Sequence, residues 1–290
     1  MRTPRSVLIF AALALLASAC TTAPQSSTAS AQPPVGAAAV GELKFGSLTI
    51  YKGYLERQEY PDSLALLPPP PAQNSAALAA DREAFDQLTA LMNGPRGALA
   101  KQDANLHFPE AASTFSCALG IAISEQATPH LYTLLRRSAT DAGLSTYKAK
   151  KHYQRTRPFV AFNAAICTPE EAEHLRKDGS YPSGHSALGW AWALQLAEIA
   201  PERADQVLQR GRAFAQSRGV CGVHWKSDID AGRSIGAATV ARLHANAVYR
   251  AQALLATDEV KAARAAGQLP NPATCASEAA ALSTSAMLAP

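Results

Sequence analysis

Apolar residues return every three or four positions through most of this chain, and that period commits it to packed helices rather than sheets. The stretches "AALAADREAFDQLTALM" (76–92), "PHLYTLLRRSATDAG" (129–143), "PEEAEHLRK" (169–177), "HSALGWAWALQLAEI" (185–199), "ERADQVLQRGRAFAQS" (202–217) and "DIDAGRSIGAATVARLHANAVYRAQALL" (228–255) all carry it. Only "ELKFGSLTIY" (42–51) hints at extended structure. The run 185–199 is apolar on nearly every side, with Leu188, Trp192, Leu196 and Ile199 on one stripe, so it belongs at the centre of a bundle. With 48% hydrophobic content over 290 residues there is apolar material for one sizeable core. The expected fold class is all-α, a single-domain helical bundle.

The first twenty residues read "MRTPRSVLIFAALALLASAC". Two arginines, an apolar stretch from Val7 to Leu16 and the small residues Ala17, Ser18 and Ala19 have the form of a secretory signal over 1–19, too short to span a bilayer permanently. Export to the periplasm is therefore expected. Two processing routes fit. "LASAC" resembles a lipobox ending in a lipid-anchored Cys20, which would tether the protein to the outer membrane, while Ala17-Ser18-Ala19 also fits ordinary A-x-A cleavage. Residues 20–40 are rich in Ser, Thr, Ala, Pro and Gln and read as a low-complexity tether. A folded domain is expected over 41–270 and a loosely ordered tail over 271–290. The chain has 27 Lys and Arg against 23 Asp and Glu, and two of those bases, Arg2 and Arg5, lie in the leader. Without a basic run interleaved with aromatics, this is no footprint for a nucleic-acid polymer.

The helix beginning after "SYPSGH" raises a chemical question. Pro182 suits the turn into a helix, Ser183 can cap it, and Gly184 carries no side chain to hold an anion away from the backbone. The first N–H groups of a helix lack internal partners and stand at its positive end, so this is a seat for an anion, with His185 at its rim. Alone, the tetrapeptide reads first as simple capping beside a surface imidazole.

Two other stretches bear on that choice. In "KKHYQRTRPF", Lys150 precedes Arg157 with six residues between them: a point charge and a planar fork, complementary partners for the oxygens of a tetrahedral dianion. In "SRGVCGVHWKSD", Arg218 is followed by His224 and then Asp228. At i,i+4 on a helix, the Asp228 carboxylate lies under the His224 imidazole, where it can hold one ring nitrogen protonated and leave the other as a nucleophile.

Together, K-x6-R-P, P-S-G-H and S-R-x5-H-x3-D resemble the signature of the type 2 phosphatidic acid phosphatase superfamily, which also contains the vanadium haloperoxidases. Within it, "DSLALLPPPP" (62–71), "GSYPSGHSALGWAWALQLAEI" and "VCGVHWKSDIDAGRSIGAATVARLH" are most similar to the bacterial class A non-specific acid phosphatases. The resemblance implies a helical domain of that type. It implies hydrolysis of small phosphate monoesters, with Lys150, Arg157, Ser183, the Gly184 backbone and Arg218 holding phosphoryl oxygens. His224 is then the nucleophile forming a phosphohistidine, Asp228 its orienting partner, and His185 the acid that protonates the leaving alcohol. No metal or other cofactor is implied, since three cations and a helix end supply the charge. The resemblance also suggests transfer of phosphate to alcohols and assembly as a homo-oligomer.

A lipid phosphatase and a vanadate-holding haloperoxidase share such a pocket, and a non-catalytic phosphate-binding lipoprotein is the remaining alternative. Beyond Cys20, four cysteines permit two disulfides in three connectivities. Cys167 with Cys221 is preferred because both lie in loops beside these motifs, which leaves Cys117 for Cys275. His107, His130, His174 and His244 have no partner spacing that points to chemistry; His152 lies inside the first motif, where a structural role is weighed against lining the pocket; Trp225 reads as core packing, with stacking on a substrate ring as the alternative, and Pro68 to Pro71 as a stiff polyproline strap.

Overall fold

The computed structural model describes residues 32–45 and 48–283. The secretory signal, Cys20 and the tether up to residue 31 lie outside them. In chain order, a hairpin of β1 (Glu42–Phe45) and β2 (Leu48–Tyr51) leads into α1 (Ala76–Thr89), α2 (Pro95–Ala104), α3 (Pro129–Ser145) and α4 (Tyr147–Tyr153). After a linker with short helical turns come α5 (Gly184–Ile199), α6 (Ala204–Val220), α7 (Lys226–Leu243), α8 (Ala247–Ala265) and α9 (Pro272–Ser283). The architecture is all-α, and the strands pair antiparallel with Glu42 opposite Tyr51. Among the described residues, no helix is long and apolar enough to cross a membrane.

Helix α5 is the axis of the bundle and packs against α3, α6, α7 and α8. Its stripe of Leu188, Trp192, Leu196 and Ile199 is buried, each side chain contributing about 1.5–3 kcal/mol of apolar burial. Trp192 also donates its indole N–H to the Leu135 carbonyl of α3 at 2.8 Å. Two glycines set how closely α7 crosses the start of α5. A Cβ at Gly232 would collide with the Ser183 carbonyl, and one at Gly236 with the Ala187 carbonyl. The absent side chains bring the two helix N-termini, each bearing one of the motifs, into contact.

Three stretches differ from their sequence reading. The helical pattern over 228–255 breaks at 244–246, because Asn246 starts a new helix. Its side-chain oxygen accepts from the Tyr249 N–H at 3.0 Å, while its amide donates to the Tyr54 carbonyl at 2.9 Å. Residues 272–283, expected in a loose tail, form α9. The Cys117–Cys275 disulfide and the Arg210–Glu278 ion pair at 2.8 Å hold this alanine-rich segment to the bundle. Inside the expected tether, Ala37–Val40 makes one helical turn. The second disulfide joins Cys167 to Cys221, so both preferred pairings are present.

Candidate active site

All three motifs converge where α5 and α7 begin. Ser183 is the N-cap of α5, its hydroxyl accepting from the Ser186 N–H at 3.2 Å. Its own N–H donates to the Asp228 carbonyl at 2.9 Å, which ties the second motif to the third. Beside Gly184 the space is open: a Cβ there would meet only Thr146 Oγ1, at 3.7 Å. Lys150 sits in the last turn of α4, Arg157 just before the short helix Pro158–Ala161, and Arg218 in the last turn of α6. His224 precedes α7, and Asp228 is in its first turn. Lys150, Arg157, Ser183, Arg218, His224 and Asp228 are all buried, while His185 is half-buried.

Hydrogen bonding assigns the His224 tautomer. Arg157 Nη1 lies 3.0 Å from His224 Nε2, and a guanidinium can only donate, so Nε2 presents its lone pair. The ring proton is therefore on Nδ1, which faces Asp228 Oδ2 at 3.3 Å. The same carboxylate oxygen accepts the Trp225 N–H at 2.9 Å and so caps α7. His185 Nε2 is 3.1 Å from the Ala104 carbonyl at the end of α2, an acceptor that requires the proton on that nitrogen.

Burial and positive charge act in one direction on both imidazoles. Desolvation first, then Arg157, Lys150 and Arg218, hold His224 well below the usual histidine range. For His185 desolvation again leads, followed by the Arg218 charge. Burial also pushes Lys150 down to about 8 and Arg218 down to about 10. Asp228 is pushed up by desolvation, opposed chiefly by Arg155. The site is thus built to receive negative charge: a dianion would relieve three crowded cations at once.

Several site residues were not picked out by the sequence motifs. Asp178 is the counter-ion of the site, accepting from Lys150 Nζ at 3.1 Å and Arg157 Nη2 at 3.0 Å. Glu171 lies 4.0 Å from Arg218, whose Nε and Nη1 are buried without a hydrogen-bond partner among the described residues. Asp178 falls two residues before the "SYPSGH" stretch, outside all three motifs. Glu171 lies in a separate segment with no motif. Trp225, read as core, packs against Phe85 and Phe162, yet also borders a cavity of about 510 Å³ with Pro70, Pro71, Tyr153 and Arg155.

A family model described as PAP2 superfamily matches residues 127–252, a span containing all three motifs. The chain is 44% identical to a non-specific acid phosphatase of Providencia stuartii, over 71% of this chain and 84% of that protein. It is 43% identical to a non-specific acid phosphatase of Salmonella typhimurium (69% and 80% covered) and 40% identical to an acid phosphatase of Zymomonas mobilis (74% and 81% covered).

Proposed function

From the premise that this chain belongs to the PAP2 superfamily and, within it, to the non-specific acid phosphatases, we propose that it hydrolyses small phosphate monoesters through a phosphohistidine on His224. The observation that carries this reading is the Arg157–His224–Asp228 alignment: Nδ1 is protonated toward a carboxylate, leaving the Nε2 lone pair among the cations. The phosphoryl oxygens are received by Lys150, Arg157, Arg218, the Ser183 hydroxyl and the N–H groups at the start of α5. Binding draws Arg157 from Nε2 onto an oxygen and frees the lone pair in the same step. Nε2 then attacks phosphorus, the P–O bond to the alcohol breaks, and His185 gives that oxygen a proton. Asp228 balances the positive charge on the phosphorylated ring. Neutral His185 next takes a proton from water, whose oxygen attacks phosphorus and releases phosphate and His224. An alcohol replacing that water accepts the phosphoryl group instead, which is phosphotransfer.

The leader supports export to the periplasm, with Cys20 as the point of lipid attachment, and a homo-oligomer is the assembly to be tested by light scattering. The deciding experiment is hydrolysis of para-nitrophenyl phosphate from pH 4 to 9, with EDTA and with vanadate in parallel, plus trapping of an acid-labile, alkali-stable label on the enzyme. Expected are EDTA-resistant activity with an acid-side optimum, inhibition by vanadate and label on the wild type but not on His224→Ala. A rate rising monotonically to pH 9, or label retained on His224→Ala, overturns the assignment.

A further inference from the structure

Behind the nucleophile's carboxylate stands a second arginine. Arg155, two residues before Arg157, donates from Nη1 to Asp228 Oδ1 at 2.6 Å and from Nη2 to Asp81 Oδ2 at 2.7 Å. The side chains of Asp81, Arg155 and Asp228 are 3%, 10% and 0% exposed, so this pairing is screened little by solvent. Asp81 is fastened in turn to the first turn of α7, accepting the Ser227 N–H at 2.8 Å and the Ser227 hydroxyl at 2.6 Å. The result is a line of alternating charge, Asp81–Arg155–Asp228, ending on the His224 ring.

We propose that Arg155, anchored by Asp81, is a positioning residue that keeps Asp228 ionised and aimed at His224 Nδ1 throughout phosphoryl transfer. The proposal rests on the phosphohistidine reading above. Its physical basis is that a fully buried carboxylate stays charged only when paired. Asp228 has two oxygens to satisfy. Oδ2 is taken by the Trp225 N–H and the His224 ring, and Oδ1 is where Arg155 binds. The other groups facing Asp228 are Lys150 and Arg157 from the first motif, and Ser180 and Tyr181 from the linker before α5. Lys150 and Arg157 are engaged by Asp178 and are the groups a substrate would recruit, so they are poor permanent counter-ions for Asp228. Arg155 is shared with Asp81 but is not one of the groups the substrate would recruit, so its bond to Asp228 persists through the reaction.

Without Arg155, desolvation dominates and the Asp228–His224 pair binds a proton more tightly, whichever member carries it. Catalysis needs the pair without that proton, so the acid limb of the pH–kcat profile moves to higher pH. Arg155 is not among the groups assigned to hold phosphoryl oxygens, so KM is expected to change little. Room exists for a shorter side chain, because Arg155 borders the 510 Å³ cavity beside Trp225.

The test compares wild type, Arg155→Met, Arg155→Lys, Asp228→Asn and the Arg155→Met/Asp228→Asn double variant on para-nitrophenyl phosphate from pH 4 to 9. Arg155→Met is expected to lower kcat about 100-fold with KM within about 3-fold, and to move the acid limb up by about one pH unit. Arg155→Lys is expected to recover about 10-fold of that loss and to return the limb toward wild type. The double variant should be within about 3-fold of Asp228→Asn, because both changes disable one device. An acid limb left in place in both Arg155 variants, or fully additive losses in the double variant, overturns the proposal. If Arg155→Met does not fold, Asp81→Asn is judged on the same limb: displacement supports the relay and a fixed limb sinks it. Label trapping on the wild type separates the two readings, since wild type without phosphohistidine rejects the mechanism itself, whereas labelled wild type with a fixed limb rejects Arg155 alone.

Discussion

Arg157 and His224 are joined at 3.0 Å, the guanidinium donating into the imidazole lone pair that the proposed chemistry needs. The nucleophile is thereby kept unprotonated by a group that a phosphate oxygen must win over before reaction. The expected outcome is a neutral His224 with its proton on Nδ1 at pH 5, read from the ¹⁵N shifts of the ring, and a change in the Nε2 shift when inorganic phosphate is added. Arg157→Lys loses the planar fork and is expected to lower kcat/KM by roughly 100-fold or more. A protonated Nε2 in the free enzyme would contradict the tautomer.

The pH limbs of kcat and kcat/KM should separate. In the free enzyme, burial and the cations hold His185 low, so its acid form is scarce above the acidic range. A bound dianion offsets Arg218, Arg157 and Lys150 and raises the imidazole's affinity for its proton. The alkaline limb, which reports loss of that proton, is therefore expected at higher pH in kcat than in kcat/KM. Coincident limbs would show that the substrate does not share a field with His185.

Stability should fall between pH 4 and 7 through Asp141. This buried carboxyl on α3 accepts the Tyr54 and Leu55 N–H groups at 2.8 and 3.1 Å, and desolvation raises it from 3.8 to about 7. The folded state binds the proton more tightly than the unfolded chain, so this contribution is complete below about pH 4 and is lost as pH rises through about 7. The slope reaches at most about 1.4 kcal/mol per pH unit. Denaturant melts across that window should show this slope in the wild type and not in Asp141→Asn, so the two differ in pH dependence; identical slopes would assign the titration elsewhere.

Gly236→Ala is expected to cost about 1–3 kcal/mol, because its methyl meets the Ala187 backbone and not a side chain free to turn away. The displaced crossing of α5 and α7 also separates Ser183 from Asp228, so kcat/KM should fall at temperatures where the variant is fully folded. A thermal melt paired with kinetics at 20 °C checks both halves, and an unchanged kcat/KM would show that the site tolerates the shift.

Much of this was legible before folding. The helical period marked α1, α3, α5 and α6 because each must bury one apolar face, and α5, apolar all round, had to be central. The break at Asn246 was harder to see: the apolar period runs through it, and a single capping residue bonded to Tyr54 decides the matter. The tail showed no apolar stripe, and its helix is held by a disulfide and by Glu278 on Arg210. In the site, Lys150, Arg157, Ser183, His185, Arg218, His224 and Asp228 could be named because their residue types and spacing carry chemistry. Asp178, Arg155 and Asp81 were not named, because a counter-ion has no spacing rule; it needs only to arrive in space.

The sequence by itself determined a helical protein with an anion seat, three cations and two histidines, since residue type and local spacing are properties of the chain. Tertiary structure decided which nitrogen of His224 holds the proton, which acid neutralises each cation, and how far each group departs from its ordinary charge. Those depend on burial and on distances between segments far apart in sequence, from Asp81 to Asp228, and a carboxylate's field is felt across ångströms of space rather than along residues of chain.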